Sequence, residues 1–479
     1  MKYLTRQKDY GSKGSITIFA LLSLLLTLGF LLGLLEAGRY QVLSNCATRQ
    51  TVIAKEAIEA SYQKTLWEEY HLLATDYDMA QEALWNYTNG RNSAVEWRNN
   101  LVELPVQQAS IETYIRMTDG EGRVFVALVS EYMTDQLLYE SAKTVYGWYE
   151  AVKSVVGPEG EKEDVIQDAL EELEGAKRAR SGTSSGTENP LQNIHQIRNA
   201  GILQFVIEDQ SVLSAKEVDL SQSLSKRTLR EGTEDIGEEG NWYDQVLLQQ
   251  YFVHYLSSFQ EVKENRALDY ELEYLIGGKN KDADNLKAAI NRIILIREGL
   301  NLLYLSNDET KVEAANALAL SICTALYVPE AYELVGVAIL AAWAYGESIL
   351  DARALLQGKR IPLLKSEETW TLGLENLGHI TEDYATAIHS DTGLGYQEYL
   401  GILILMSKQD KLAVRGMEMQ EQTIRLQTQN IEFGMDQLIV QSNICVQYGY
   451  EPVFGILKNN KILIERKAAR DVSLYLSSH

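Results

Sequence analysis

The stretch Ser15 to Leu35 reads SITIFALLSLLLTLGFLLGLL, 21 residues without a charged side chain. At ~1.5 Å per residue a helix of that length covers ~30 Å, the thickness of a bilayer's hydrocarbon core. No other feature constrains the fold as much, because the rest of the chain has to be placed relative to that span. The flanks give a direction. Lys2, Arg6, Lys8 and Lys13 precede it against one acid, Asp9, and Glu36 follows it. The positive-inside rule puts residues 1–14 in the cytoplasm and the rest outside. Those 14 residues carry +3, and the whole chain carries −23, so everything after them carries −26. The acidity belongs to the exported part and reads as a solvated surface, with diffuse cation binding as the second reading. A surface of that sign argues against nucleic acid as a main partner.

Four processing fates compete. A cleaved signal peptide has an apolar core of roughly 7–15 residues and an exit of small residues. This segment is longer and runs into Leu35-Glu36-Ala37-Gly38-Arg39. A lipoprotein needs a small residue before its cysteine, whereas Asn45 precedes Cys46. A retained anchor fits best. Trimming of the prepilin type after Gly14, leaving Ser15 first, is the remaining alternative.

The 479 residues are 46 % apolar, enough to bury a sizeable core. Six prolines and three cysteines are too few for a Pro-rich stalk or a disulfide scaffold. Val42, Cys46, Ile53, Ala57, Ala60 and Trp67 recur at helical spacing. They predict that the anchor continues outward as an amphipathic helix to about Leu73, with a break at Asp76-Tyr77-Asp78 and a second helix towards Arg98. Ser110 to Met117 and Arg123 to Leu128 flank Thr118-Asp119-Gly120-Glu121-Gly122, which predicts a β-hairpin. A polar helix follows from about Met133 to Val156. Ser181 to Pro190 (SGTSSGTENP) reads as a linker that would let two halves move. Helices are expected over Tyr243 to Glu264 and Asp284 to Leu305. The charge-free runs Ala314 to Pro329 and Leu334 to Tyr345 are too short to span a bilayer and read as buried helices. Leu438 to Tyr448 and Lys461 to Glu465 read as strands that would share one small sheet with the hairpin.

Chemistry is sparse. None of the six histidines forms H-E-x-x-H or an i,i+4 pair. His379, Glu382, Asp383 and His389 make the densest cluster, as a metal group or a solvated segment. Cys46, Cys323 and Cys445 are scattered, so there is no C-x-x-C site. Cys46, just outside the span, could bridge two copies or be a small helix residue. Asp219-Leu220-Ser221-Gln222-Ser223 matches D-x-S-x-S, in which a carboxylate and two hydroxyls at the end of a buried strand can hold a hard cation. Ser214 to Val218 does not read as such a strand, so a polar turn or helix cap is the competing reading for Asp219, Ser221 and Ser223. Phosphate loops, nucleophile elbows and dinucleotide fingerprints are absent from the sequence. No enzyme and no cofactor are expected.

Residues 13–40 (KGSITIFALLSLLLTLGFLLGLLEAGRY) resemble the N-terminus of TadE- and TadG-type pilus-assembly proteins. The likeness rests on a small residue after a basic stretch, an apolar helix with Phe near its start, and a Glu-x-Gly-Arg exit at Glu36, Gly38 and Arg39. It implies a membrane anchor with the remainder working outside. Nearly the whole chain resembles an uncharacterised family of Gram-positive, mostly clostridial membrane proteins found with Tad-like pilus and secretion genes. Leu66-Trp67-Glu68-Glu69-Tyr70, Glu273 to Lys279, Ile296-Arg297-Glu298, Ala342 to Ser348 and Tyr396 to Leu400 carry that likeness. It implies a location and a pathway but no reaction. One departure concerns processing: cleavage after Gly14 would put Phe19 at the fifth position of the mature helix, where prepilins carry the glutamate that pairs with a neighbour's N-terminal amine.

The expected fold is therefore α+β and predominantly helical. Residues 1–14 form a tail, 15–35 the transmembrane helix, 36–180 a helical stem with a β-hairpin, 181–190 a linker, and 191–479 a mainly helical exported domain ending in strands. The expected partners are the lipid bilayer through residues 15–35 and pilus or secretion proteins, or a second copy, through the stem. The expected role is a pseudopilin-like or accessory component of such an apparatus. A membrane-tethered adhesin or ligand sensor is the alternative from another class, and a tethered hydrolase is the weakest.

Overall fold

One helix, α1 (Lys13–Ala60), carries the apolar segment and runs on without interruption for 48 residues. The computed structural model describes residues 13–88, 104–136, 139–156, 165–179, 190–234, 241–380, 386–388, 390–453 and 462–470. From Ile16 to Leu35 the large side chains of α1 lie open, Leu32 only in part, whereas further on Leu43, Ala47, Thr51, Ala54 and Ile58 are buried. Their spacing of three or four residues makes one stripe. The stripe differs from the expected one, since Val42 and Ile53 are exposed. Small Ala and Thr side chains take the inward positions because they let the helix axis lie close to a sheet. The helix also stops at Ala60 rather than near Leu73; α2 (Lys64–Tyr70) and β1 (Thr75–Asp76) follow, then α3 (Tyr77–Thr88) packs back along α1.

The sheet that receives α1 is antiparallel. Its strands are β1, β2 (Val106–Arg116), β3 (Leu438–Tyr450) and β4 (Ile462–Arg470). Strand β3 is central. It pairs with β2 along one edge, with Ile111 opposite Ile444, and with β1 and β4 on the other. Leu43, Ala54 and Ile58 of α1, Ala80 and Leu84 of α3, and Ile444, Val446, Tyr448 and Ile464 of the sheet form a closed apolar cluster.

Half of the expected hairpin is a helix. Strand β2 is present, but Arg123–Leu128 opens α4 (Arg123–Thr134). Gly120, Glu121 and Gly122 all have positive φ and turn the chain away from the sheet. A Cβ on Gly122 would stand 2.8 Å from that of Ala413. The β-rich run then gains more by packing as a helix, with Val124, Phe125 and Val129 buried and Phe125 against Tyr251 and Phe252. The partner strand of β2 comes instead from the far end of the chain.

The remaining helices are α5 (Tyr139–Val156), α6 (Val165–Ala179), α7 (Pro190–Asn199), α8 (Leu203–Val206), α9 (Trp242–Tyr255), α10 (Glu271–Gly277), α11 (Asp282–Ser306), α12 (Glu309–Ala325), α13 (Tyr332–Leu356), α14 (Tyr396–Leu405) and α15 (Gln409–Thr428). The chain is thus predominantly helical with one small antiparallel sheet. Helix α9 ends at Tyr255, short of Glu264, because the next backbone N–H groups are taken by buried glutamates: Ser257 N–H by Glu271 and Phe259 N–H by Glu273. Helix α13 is apolar and long enough to cross a membrane, but most of it is buried in protein, which makes it the core helix against which α6, α11 and α12 pack. Residues 181–189 of the expected linker lie outside the described residues. The elements on its two sides share a single hydrophobic core.

Candidate functional site

Two of the three exit residues converge on the sheet. Glu36 accepts hydrogen bonds from the Tyr450 hydroxyl and, at 3.1 Å, from the Val453 N–H. Arg39 donates to the Glu451 carbonyl at 2.8 Å, pairs with Glu36 at 3.0 Å, and lies 5.2 Å from the centre of the Tyr450 ring. Tyr40 meets that ring edge-on. Burial and the neighbouring Glu36 push the Tyr450 hydroxyl up to about 12, so it stays a donor. Glu36 and Arg39 are mostly shielded from solvent, which makes the charge-assisted bonds stronger than a surface pair. Gly38 has nothing within 4 Å of an added Cβ and takes no part. Further out, Arg466 donates to Ser44 and to Thr48, and the Thr51 and Tyr448 hydroxyls bond at 3.0 Å. The outer half of α1 is thus tied to β3 and β4 at successive levels. Gly14 and Ser15 lie in its first turn, with Phe19 exposed one turn on.

The D-x-S-x-S residues come together only in part. The Asp219 carboxylate takes the Ser221 N–H at 2.8 Å and the Ser221 hydroxyl at 3.0 Å, which hold it below its usual range. Ser223 is buried and its hydroxyl bonds Ser225. The segment is a chain of turns with no strand leading into Asp219. In the histidine cluster, Glu382, Asp383 and His389 lie outside the described residues. Among the described residues, one group of metal-ligating types does gather, Glu112, Cys445 and Glu465, within 4.8 Å of one another. It spans three strands, so no sequence spacing could show it. Lys467 sits in it, 2.7 Å from Glu112 and 3.7 Å from Glu465, and burial and Glu112 push the Cys445 thiol up to about 11. The group is an ammonium-bridged acid pair beside a protonated thiol.

The strongest electrostatics lie between α11 and α13. Arg297 donates to Asp351 at 2.9 Å, to Asn301, to the Tyr399 hydroxyl and to the Pro362 and Leu363 carbonyls. Lys365 pairs with Glu347 and, at 2.7 Å, with Asp351. Glu347 also accepts the Thr371 and Leu372 N–H groups. All four charged side chains are essentially buried. Burial alone would raise the Asp351 carboxyl, but Arg297 and Lys365 hold it down; Glu347 is raised by burial against the pull of Lys365. Two cations balance two acids, and the network straps residues 360–372 onto α13. This is holding chemistry: no group is left facing open space to attack a substrate. Sequence reasoning passed over it, although Glu347 and Asp351 inside the apolar run of α13 were its signal.

A cavity of about 390 Å³ opens between α5, α9 and the start of α14, with Trp148, Gln249, Gln250 and Gln260 on its walls. The Arg360–Glu398 pair at 2.6 Å closes one side, and Tyr396 at its base bonds buried Glu273. Amides and an aromatic face can hold a small polar molecule, and the lining carboxylate, Glu398, is paired with Arg360.

A family model matches residues 180–450, more than half of the chain. The chain belongs to the DUF5702 family. That family is described as one of unknown function, so membership assigns no reaction. No curated protein and no solved structure matches the chain. The DUF5702 region holds the Arg297–Asp351 network, strand β3 up to Tyr450 and the cavity's walls other than Val145 and Trp148 of α5, while α1 with Glu36 and Arg39 precedes it.

Proposed function

We propose that the protein is a membrane-anchored structural or assembly component that works outside the cytoplasm, pseudopilin-like or accessory to a Tad-like pilus or secretion apparatus. The observation that carries this reading is the division of α1: its first half is apolar and uncovered, and its second half is docked on an antiparallel sheet without a break between them. The first half spans the bilayer once, with the basic residues before it on the cytoplasmic side. Any displacement of the anchor then moves the sheet as one piece. On the outer half, Val42 and Ile53 share an exposed face three turns apart, away from the sheet, and this face takes a partner helix or a second copy. The role assigned is scaffolding, with no catalytic step. Affinity isolation of the full chain from its own membranes tests the reading. Co-purification of pilus or secretion components supports it, and their absence overturns it. N-terminal sequencing of the mature protein decides between a start at Met1 and a start at Ser15.

The cavity beside Trp148 favours a second reading, a tethered ligand sensor. A small polar compound that raises the melting temperature of the full chain, with the effect lost in Trp148→Ala, would replace the first reading by this one.

A further inference from the structure

We infer that the end of the β3–β4 ribbon beside the anchor sits in the headgroup layer of the same membrane, as a second and peripheral contact with lipid. The inference rests on the proposed spanning role of Ile16 to Leu35 and adds a surface to it. Glu36 is the first charged residue after the span, so it marks the edge of the hydrocarbon. The hydrogen bonds from Tyr450 and Val453 to Glu36 put the end of β3 at that edge. Pairing then brings β4 to the same level, since Ile462 lies opposite Tyr450 and Leu463 opposite Gly449. A second register agrees. Arg466 bonds Ser44 and Thr48, roughly 13–20 Å beyond Leu35 along α1, and Ile462 lies about 13 Å back along the strand. Ile462 therefore falls within a few ångströms of the hydrocarbon edge.

The side chains at that level are apolar and uncovered: Val453 is 37 % exposed, Ile462 38 %, Leu463 57 % and Tyr40 41 %. Ile462 and Ile464 point to the same face of the strand. Ile464 is buried against α1, whereas Ile462 has run past the edge of that core. The strand also changes character along its length, with Ile462, Leu463 and Ile464 at the membrane end and Glu465, Arg466 and Lys467 beyond them. An apolar end and a polar continuation suit a strand that stands on a membrane, with Tyr40 at the depth where tyrosines gather. Exposed Glu451 at the same level limits the depth to the headgroups. The occupant is lipid rather than another protein, because the surface is continuous with the lipid-facing side of α1.

The test uses the full chain reconstituted in bilayer nanodiscs that contain a phospholipid with a photoactivatable group near its glycerol. Crosslinked peptides are mapped by mass spectrometry. The expected result is labelling of the peptide that holds Ile462 and Leu463, in addition to labelling of Ile16 to Leu35. In Leu463→Asp, whose position is too exposed to unfold the sheet, strand labelling is lost while helix labelling stays. Labelling confined to the helix overturns the ribbon contact and leaves the anchor standing. Labelling of neither segment overturns the anchor as well. Strand labelling unchanged in Leu463→Asp, with circular dichroism showing a folded variant, also overturns the contact.

Discussion

Replacing Glu36 by Ala should loosen the junction between α1 and the sheet without unfolding either. The substitution removes the acceptor of the Tyr450 hydroxyl and of the Val453 N–H, and leaves Arg39 with the Glu451 carbonyl and the Tyr450 ring. A hydrogen bond to a charged group contributes about 1.5–3 kcal/mol, and three are lost, the one from Arg39 at 3.0 Å included. Val453 is exposed, so water can rehydrate its abandoned N–H, and the net effect expected is about 2 kcal/mol on local opening. That corresponds to roughly 30-fold faster exchange of the Val453 amide. Hydrogen exchange followed by mass spectrometry on the full chain in nanodiscs reads it directly. Peptides from the β2–β3 core around Ile111 and Ile444 should keep their wild-type rates, because backbone pairing and apolar packing hold them. Glu36→Gln retains an acceptor and should cost about half as much. Arg39→Ala combined with Glu36→Ala should fall short of the sum of the single effects, since both act on one contact. Unchanged Val453 exchange in Glu36→Ala would refute the junction. Uniformly faster exchange of the whole sheet would show that Glu36 acts on global stability instead.

Three further outcomes follow from the same geometry. Gly38→Ala should be tolerated and should raise the melting temperature, because the added methyl meets open space and Ala in a helix is favoured over Gly by about 0.5–1 kcal/mol; a lower melting temperature would contradict the open placement. Lys365→Met should cost about 3–5 kcal/mol in denaturant unfolding, because Glu347 would lose its cation while fully buried and Asp351 would keep only Arg297; a cost under 1 kcal/mol would mean that water reaches the network. Burial raises Glu271 and Glu273 from the usual 4.5 to about 7. A raised acid binds its proton in the folded chain before the unfolded chain does. Stability therefore falls as pH rises from about 4.5 to 7, by roughly 3 kcal/mol per group. Glu273→Gln should flatten melting profiles over that window, and a profile parallel to wild type would show that Glu273 does not titrate there.

Period and length made the helices readable. Twenty-one uncharged residues define a helix whatever surrounds them, and the strands expected over Leu438 to Tyr448 and Lys461 to Glu465 are found, over the described residues, within β3 and β4, both longer than expected and paired. Arg123 to Leu128 misleads for a physical reason. Its residues favour a strand, but three consecutive left-handed positions and the apolar surface of α9 are features of the turn and of tertiary packing, which local propensity does not contain. The face of α1 was misjudged on similar grounds. Spacing put Val42 and Ile53 on the inward stripe, while the stripe that meets the sheet is Leu43, Ala47, Thr51, Ala54 and Ile58, a different set at the same spacing. Glu36 and Arg39 were visible as a motif. Their partners Tyr450 and Val453 were not, because more than 400 residues separate them and only the closed fold brings them together.

That separation bears on how the molecule is put together. Strand β3 cannot be completed until residues 438–450 have emerged, yet β2 and β4 pair with it and α1 docks on β3 and β4 together. Until then Leu43, Ala47, Ala54 and Ile58 have no sheet to cover them, beside the apolar first half of the same helix. The sheet side of α1 therefore stays open, and β2 has no partner strand in the meantime. Contacts of such long range form late, because the loop they close is large and its entropy is lost before any pairing repays it. The Glu36 and Arg39 contacts, at the point where α1 meets the last turn of β3, favour the one register in which the stripe of α1 meets Ile444, Val446 and Tyr448. A slip of one residue in β3 would turn those side chains to the other face and carry the Tyr450 hydroxyl away from Glu36. The exit motif thus couples two requirements, the placement of the apolar half of α1 and the register of the sheet, in a single contact.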